Sequence, residues 1–285
     1  MAIRTASAAG FGGILLDAAT AHLDLTTLST TGIREFRHLL SAANVKLTAL
    51  RAPLDPKGFS AGADIDRQLN ILEKILHAAA NLHCPLVSLD IGPLPPPPSQ
   101  PPPPAITSKQ AGLILIPDFT PAKSPDPAPS GIAPHYTPQV DGALAELGNR
   151  ADRYGVPLAL HSGLSGFAAL IHVIRAVDCP WFGIDLDPVA LLQDDWDIDQ
   201  LFSAAGSMIQ HVRARDALLG DRHRTRLVPV GTGNVDWPHL LSNLHHADYR
   251  GPITLDPASL ADPLAAASAG RAALLKMWPG GSRPS

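Results

Sequence analysis

The sequence has little cysteine and little charge, and it lacks any long apolar run. Its two cysteines, Cys84 and Cys179, form neither a C-x-x-C pair nor a disulfide framework. A reducing compartment fits this usage, and the cytoplasm is the expected one. Each cysteine precedes a proline just before an apolar run ("HCPLVSLD", "DCPWFGID"), where a small buried hydrophobe is expected. No apolar stretch approaches the ~20 residues that span a bilayer. Asp17 interrupts "GGILLDAA" near the start, so no signal peptide is expected either. Only 17% of residues are charged and the balance is −4, which speaks against nucleic acid or an anionic membrane as partner. No G-x-G-x-x-G turn follows the first apolar run, no nucleophile elbow supports serine or cysteine hydrolysis, and no repeat of fixed period is visible.

What the chain does have is apolar residues, 45% of its 285, enough for one large core. A single domain over residues 1–285 is expected, interrupted by a proline-rich insertion at 92–134. Eight of the ten residues from Pro95 to Pro104 are proline, which imposes polyproline-II geometry and forbids helix or inner strand. Within the insertion "LILIPD" could form one short strand packed back on the body.

Outside it, short Val/Ile/Leu-rich runs alternate with helical segments. The runs are "GGILLD" (12–17), "VKLTALR" (45–51), "PLVSLD" (85–90), "VPLALHS" (156–162), "WFGIDLD" (181–187), "IQHVRAR" (209–215) and "GPITLD" (251–256). Between two of them, Ile65, Leu69, Leu72, Ile75, Leu76 and Ala79 recur on one helical face. Such alternation argues for a parallel sheet with helices outside it. Nearly every run ends on a polar residue: Asp17, Arg51, Asp90, His161, Asp187, Arg213 with Arg215, and Asp256. Strand ends converge on one mouth in a (β/α) barrel, whereas an open sheet spreads them along an edge. A TIM-type barrel is therefore expected, with its first strand lacking or replaced. Seven runs leave one strand missing: the barrel has seven strands, or "LILIP" fills the gap, or the native start lies upstream.

"ASAAGFGGILLD", "HVRARDA" and above all "VPVGTGNVDWPHLLSNLHHADYRGPITLD" resemble the sugar isomerase/epimerase family with xylose-isomerase-like TIM barrels. The last stretch is similar to that family's closing pattern, G-x-G-x-V-D into a helix and then a turn before the final strand, with Asp248 where glycine is usual. The resemblance implies a divalent metal at the mouth, held by Glu, Asp, His and Glu, two of which move a proton beside a carbonyl. Carried over, these positions are His161, Asp187, Arg213 and Asp256, and the substrate-contacting histidine after the Asp becomes Ala190. Only Asp187 is retained in kind. His211 keeps the first position of the H-x-H pair.

A guanidinium has no lone pair to offer a metal and stays protonated. The expectation is a metal-free site in which Arg213 supplies the positive charge and pairs with Asp187 or Asp256. The alternative is a divalent cation held by His161, Asp187 and Asp256 with water. As an enzyme the chain would be an isomerase or epimerase of a small sugar or polyol, with His161 and Asp256 as acid/base pair and Arg213 or Arg51 steadying the enediolate oxygen. Arg51, Asp90, His211 and Arg215 are the candidate substrate contacts, and a homo-oligomer is compatible. A non-catalytic barrel that binds a carbohydrate-like ligand or a protein partner is the second function class. Arg215 and Asp216 are expected to pair locally. Arg222, His223, Arg224 and Arg226 are expected to form a solvated basic loop, which the resemblance places over the mouth, and Asn234 and Asp236 to start the next helix.

Overall fold

The computed structural model describes residues 2–60, 62–94, 138–162, 166–194, 196–221 and 224–279. The insertion from residue 95 onward, with its "LILIP" run, and Arg222 and His223 lie outside the described residues.

The strands are β1 (Gly13–Asp17), β2 (Lys46–Ala52), β3 (Val87–Asp90), β4 (Leu158–His161), β5 (Phe182–Leu186), β6 (Ile209–Ala214), β7 (Asp216–Leu219), β8 (Thr225–Val228) and β9 (Ile253–Leu255). Seven of them form one parallel sheet in the order β1-β2-β3-β4-β5-β6-β9. The sheet curls into a nearly closed barrel with helices around it. Among the described residues no ladder joins β9 back to β1, so a seam remains where an eight-stranded barrel has one more strand. The seven-strand expectation is met. β7 and β8 form a separate antiparallel hairpin where the sequence suggested a solvated basic loop. Arg224 and Arg226 sit at its far strand and are exposed.

The helix Ile65–Leu82 shows why the sequence folds this way. Asp64 caps it by accepting from the Arg67 N–H, and His83 ends it in the left-handed region at φ 55°. The predicted apolar face is buried at Leu69, Leu72, Ile75, Leu76 and Ala79, each large member contributing about 1.5–3 kcal/mol. Ile65 is only partly buried. On the other face of the strands, Ala49, Leu86 and Ala159 with Leu15 make a small cluster separate from the main core. These residues fill the barrel floor. Because strand side chains alternate, the next inward positions are Arg51, Ser88 and His161, one layer higher.

The loop after β3 is fixed by a close backbone crossing. A Cβ on Gly58 (φ 50°) would stand 2.1 Å from the Ile91 carbonyl oxygen, and one on Gly92 (φ 76°) 2.5 Å from that of Lys57. Only glycine fits either position. Cys84 is buried with its thiol pushed up to about 11 by desolvation, in keeping with a small hydrophobe. No helix of the described residues is long and apolar enough to cross a membrane.

Candidate functional site

Beneath the mouth lies a carboxylate that the sequence reading passed over. Asp185 on β5 is fully enclosed. Its Oδ2 accepts from Ser88 Oγ at 2.6 Å and from Arg213 Nη2 at 2.5 Å, and its Oδ1 lies 2.6 Å from His211 Nδ1. His211 Nε2 in turn reaches Thr254 Oγ1 at 2.9 Å. Arg213 therefore pairs with Asp185, not with Asp187 or Asp256 as expected. Across the β5–β6 ladder Asp185 is level with His211, one layer deeper than Asp187, and the long Arg213 side chain reaches back down to it.

A second tier of charges stands nearer the opening. Asp187 Oδ2 pairs with Arg215 Nη1 at 2.6 Å while its Oδ1 accepts from the Val189 N–H at 3.0 Å. Arg51 lies 3.5 Å from Asp17 and 3.6 Å from Asp256, so it bridges β1 to the end of β9. Asp90 is exposed and accepts from the Gly92 N–H beside His161. The His161 ring is buried and makes no hydrogen bond among the described residues.

Arg215 does not pair with Asp216. Successive strand residues point to opposite faces, and Asp216 turns away from the mouth to collect five donors. These are the N–H groups of Ala217, Gly231, Gly233 and Val235 and the Trp237 indole. It organises the "GTGNVDW" loop from inside. Asp236 caps the helix Trp237–His246 as expected, whereas Asn234 accepts from the Leu219 N–H. Trp196 packs against Phe167, and Trp181 donates to Asp152.

Electrostatics follow from this geometry. Burial opposes ionisation of Asp185, but the Arg213 charge and the His211 bond outweigh it and hold the carboxyl well below the usual range. Burial likewise opposes the Arg213 charge, and Asp185 raises its pKa above the ordinary value. A carboxyl depressed in the folded state contributes stability above its unfolded pKa of about 3.9, and loses it as pH falls toward the folded value. The urea midpoint is therefore expected to fall as pH drops below about 4, with a smaller fall in Asp185→Asn. Equal acid sensitivity in both proteins would show that Asp185 is not the source.

The model of the xylose isomerase-like TIM barrel family matches residues 3–277, nearly the whole chain. The chain belongs to that family. No curated protein matches the sequence. Solved xylose isomerase-like barrels are similar in fold at low identity. A xylose isomerase domain protein from Planctomyces limnophilus is 17% identical, with TM-score 0.70 over 96% of this chain and 90% of that one. A xylose isomerase-like barrel from Mycobacterium smegmatis, solved in complex with magnesium, is 16% identical, with TM-score 0.67 over 96% of this chain and 86% of its own. D-psicose 3-epimerase from Clostridium cellulolyticum H10, solved with D-tagatose, is 14% identical, with TM-score 0.65 over 96% and 92%.

Asp187 and Asp256, like Asp185, act on the Arg213 charge. His161 stands on β4, next to Asp185 on β5 and within its electrostatic reach. His211, Ser88 and Thr254 lie beneath them, with His211 fully enclosed. Among the described residues no three His, Cys, Asp or Glu side chains group to hold a metal ion.

Proposed function

We propose that this barrel is a sugar isomerase or epimerase that moves a proton beside a carbonyl of a small sugar or polyol, without a divalent metal. The observation that carries the reading is Arg213. By the resemblance of "HVRARDA" its guanidinium falls where the family has a metal-binding histidine, and it is anchored at 2.5 Å to the enclosed Asp185. The side chains present do not fit a divalent cation: Arg213 has no lone pair, and both Asp187 oxygens are already engaged. What they do fit is a fixed positive charge beside a carbonyl oxygen. Such preorganised charge lowers the cost of an enediolate without moving when it forms.

His161 and Asp256 then divide the proton transfer. They rise from β4 and from the end of β9, on opposite sides of the barrel, so each addresses a different face of a substrate between them. The His161 ring is free of hydrogen bonds among the described residues, as a base awaiting a C–H requires. Asp256 is held by Arg51 at 3.6 Å. The epimerase among the structural relatives lends the same reading support.

Deuterium wash-in provides a test that needs no knowledge of the product. A panel of ketoses, aldoses and inososes is incubated with the protein in D₂O and EDTA, and C–H loss is followed by NMR. Exchange is expected in EDTA, reduced at least about a hundredfold in His161→Ala. Exchange that appears only with added Mn²⁺ or Co²⁺ would overturn the metal-free mechanism. Exchange untouched by both His161→Ala and Asp256→Ala would overturn the site.

A further inference from the structure

Beneath the mouth, the bonds that hold Asp185 continue to the seam and form a second chemical arrangement. Asp185 accepts hydrogen bonds from Ser88 and Arg213, so its carboxylate acts as an acceptor toward His211 as well. His211 Nδ1 must then donate across its 2.6 Å contact, and in the neutral ring the Nε2 lone pair accepts from the Thr254 hydroxyl at 2.9 Å. A nucleophile, a base in hydrogen-bond reach and a carboxylate that fixes the tautomer are the parts of an activated hydroxyl.

Thr254 also borders open space. It lines a cavity of about 1430 Å³ that runs along the open seam between β1 and β9. The walls are apolar at Phe11, Ile14, Leu15, Ile253, Leu255 and Leu264. Val212 N–H donates to the Pro252 carbonyl and Asp256 N–H to that of Ala214, so the ladder uses the even-numbered groups of β9. The N–H groups of Ile253 and Leu255 are thereby turned to the seam. Leu255 N–H, one residue beyond Thr254, is available to a developing oxyanion.

We propose that Thr254 is the nucleophile of a hydrolytic site in the seam, with His211 as general base, acting on esters of apolar acyl chains. Thr254 Oγ1 bonds to the acyl carbon as its proton passes to His211 Nε2. The tetrahedral adduct expels the alcohol, which takes that proton as the ester C–O bond breaks. A water then gives a proton to Nε2 and adds to the acyl carbon, and the Thr254–acyl bond breaks with the proton returned to Oγ1, releasing the carboxylic acid. The apolar walls select the acyl chain.

The test uses p-nitrophenyl esters from acetate to decanoate, the full chain in EDTA, and mass spectrometry of acid-quenched peptides. Hydrolysis is expected to rise with chain length, with an acyl adduct on the peptide that contains Thr254. Thr254→Val keeps the shape without the hydroxyl and should lose at least about a hundredfold, while Thr254→Ser retains turnover. No hydrolysis, an adduct on another peptide, or wild-type rates in Thr254→Val each overturn the proposal. Should Thr254→Val fail to fold by circular dichroism, the position of the wild-type adduct decides alone. Ester turnover and sugar exchange are separate readouts, so either can fail without the other.

Discussion

Asp185→Ala is expected to destabilise the barrel by about 3–5 kcal/mol, measured as the loss in urea denaturation at pH 7. The variant leaves the Arg213 guanidinium, 13% exposed, and the enclosed His211 without their acceptor. Neither cation nor imidazole can turn to water from inside the lumen, so the desolvation cost is no longer offset. Arg213→Met is the complementary change. It strands the Asp185 charge with only Ser88 and His211 for company, and Asp185 can escape by taking a proton. Changing both residues, as Asp185→Asn with Arg213→Met, removes the buried charges together and should recover part of the loss, because unpaired charge rather than lost attraction carries most of the cost. A single-variant effect under about 1 kcal/mol would mean that water reaches this layer.

The second large effect belongs to Asp216, outside the mouth. Its carboxylate accepts from five donors, four of them backbone N–H groups at 2.9–3.2 Å, and its side of the chain is buried. Asp216→Ala orphans donors that sit between β7 and the helix Trp237–His246. Each costs about 1–3 kcal/mol if it stays buried, and partial rearrangement of the loop brings the expected total to about 3–5 kcal/mol. Asp216→Asn should rescue little, since its amide presents N–H groups toward N–H groups. Amide exchange at Gly231, Gly233 and Val235 should quicken with the loss. A normal exchange pattern there would show that the loop holds without the carboxylate.

Much of the architecture was legible because its signals are local. Polar residues at the ends of seven apolar runs announced a common mouth, and the structure places those ends around one. The deep layer was harder to read. Asp185 is two residues before Asp187 and on the same face, yet the eye for strand ends stops at Asp187. Ser88 and Thr254 hide in the same way beneath Asp90 and Asp256, in "VSLD" and "ITLD". Extending the alternation one step inward from every strand end would have found all three. Arg213's partner could not be read from sequence at all: the ladder sets Asp187 level with Arg213, yet the guanidinium reaches back one layer to Asp185. Asp216 was misassigned for the opposite reason: adjacency in sequence suggested a pair with Arg215, and alternation forbids it.

Arg51 gives the open seam a character of its own. Six of the barrel's joints are peptide ladders, which are indifferent to dissolved ions. The seventh is crossed at the mouth by a guanidinium shared between Asp17 and Asp256, with Asp17 half in water. Charges so placed feel the Debye length of the buffer, about 10 Å at 0.1 M and about 3 Å at 1 M. Among the described residues the circumference thus has one joint held by charge instead of a ladder, and such a joint loosens as salt rises. That joint borders the wall on which Thr254 stands.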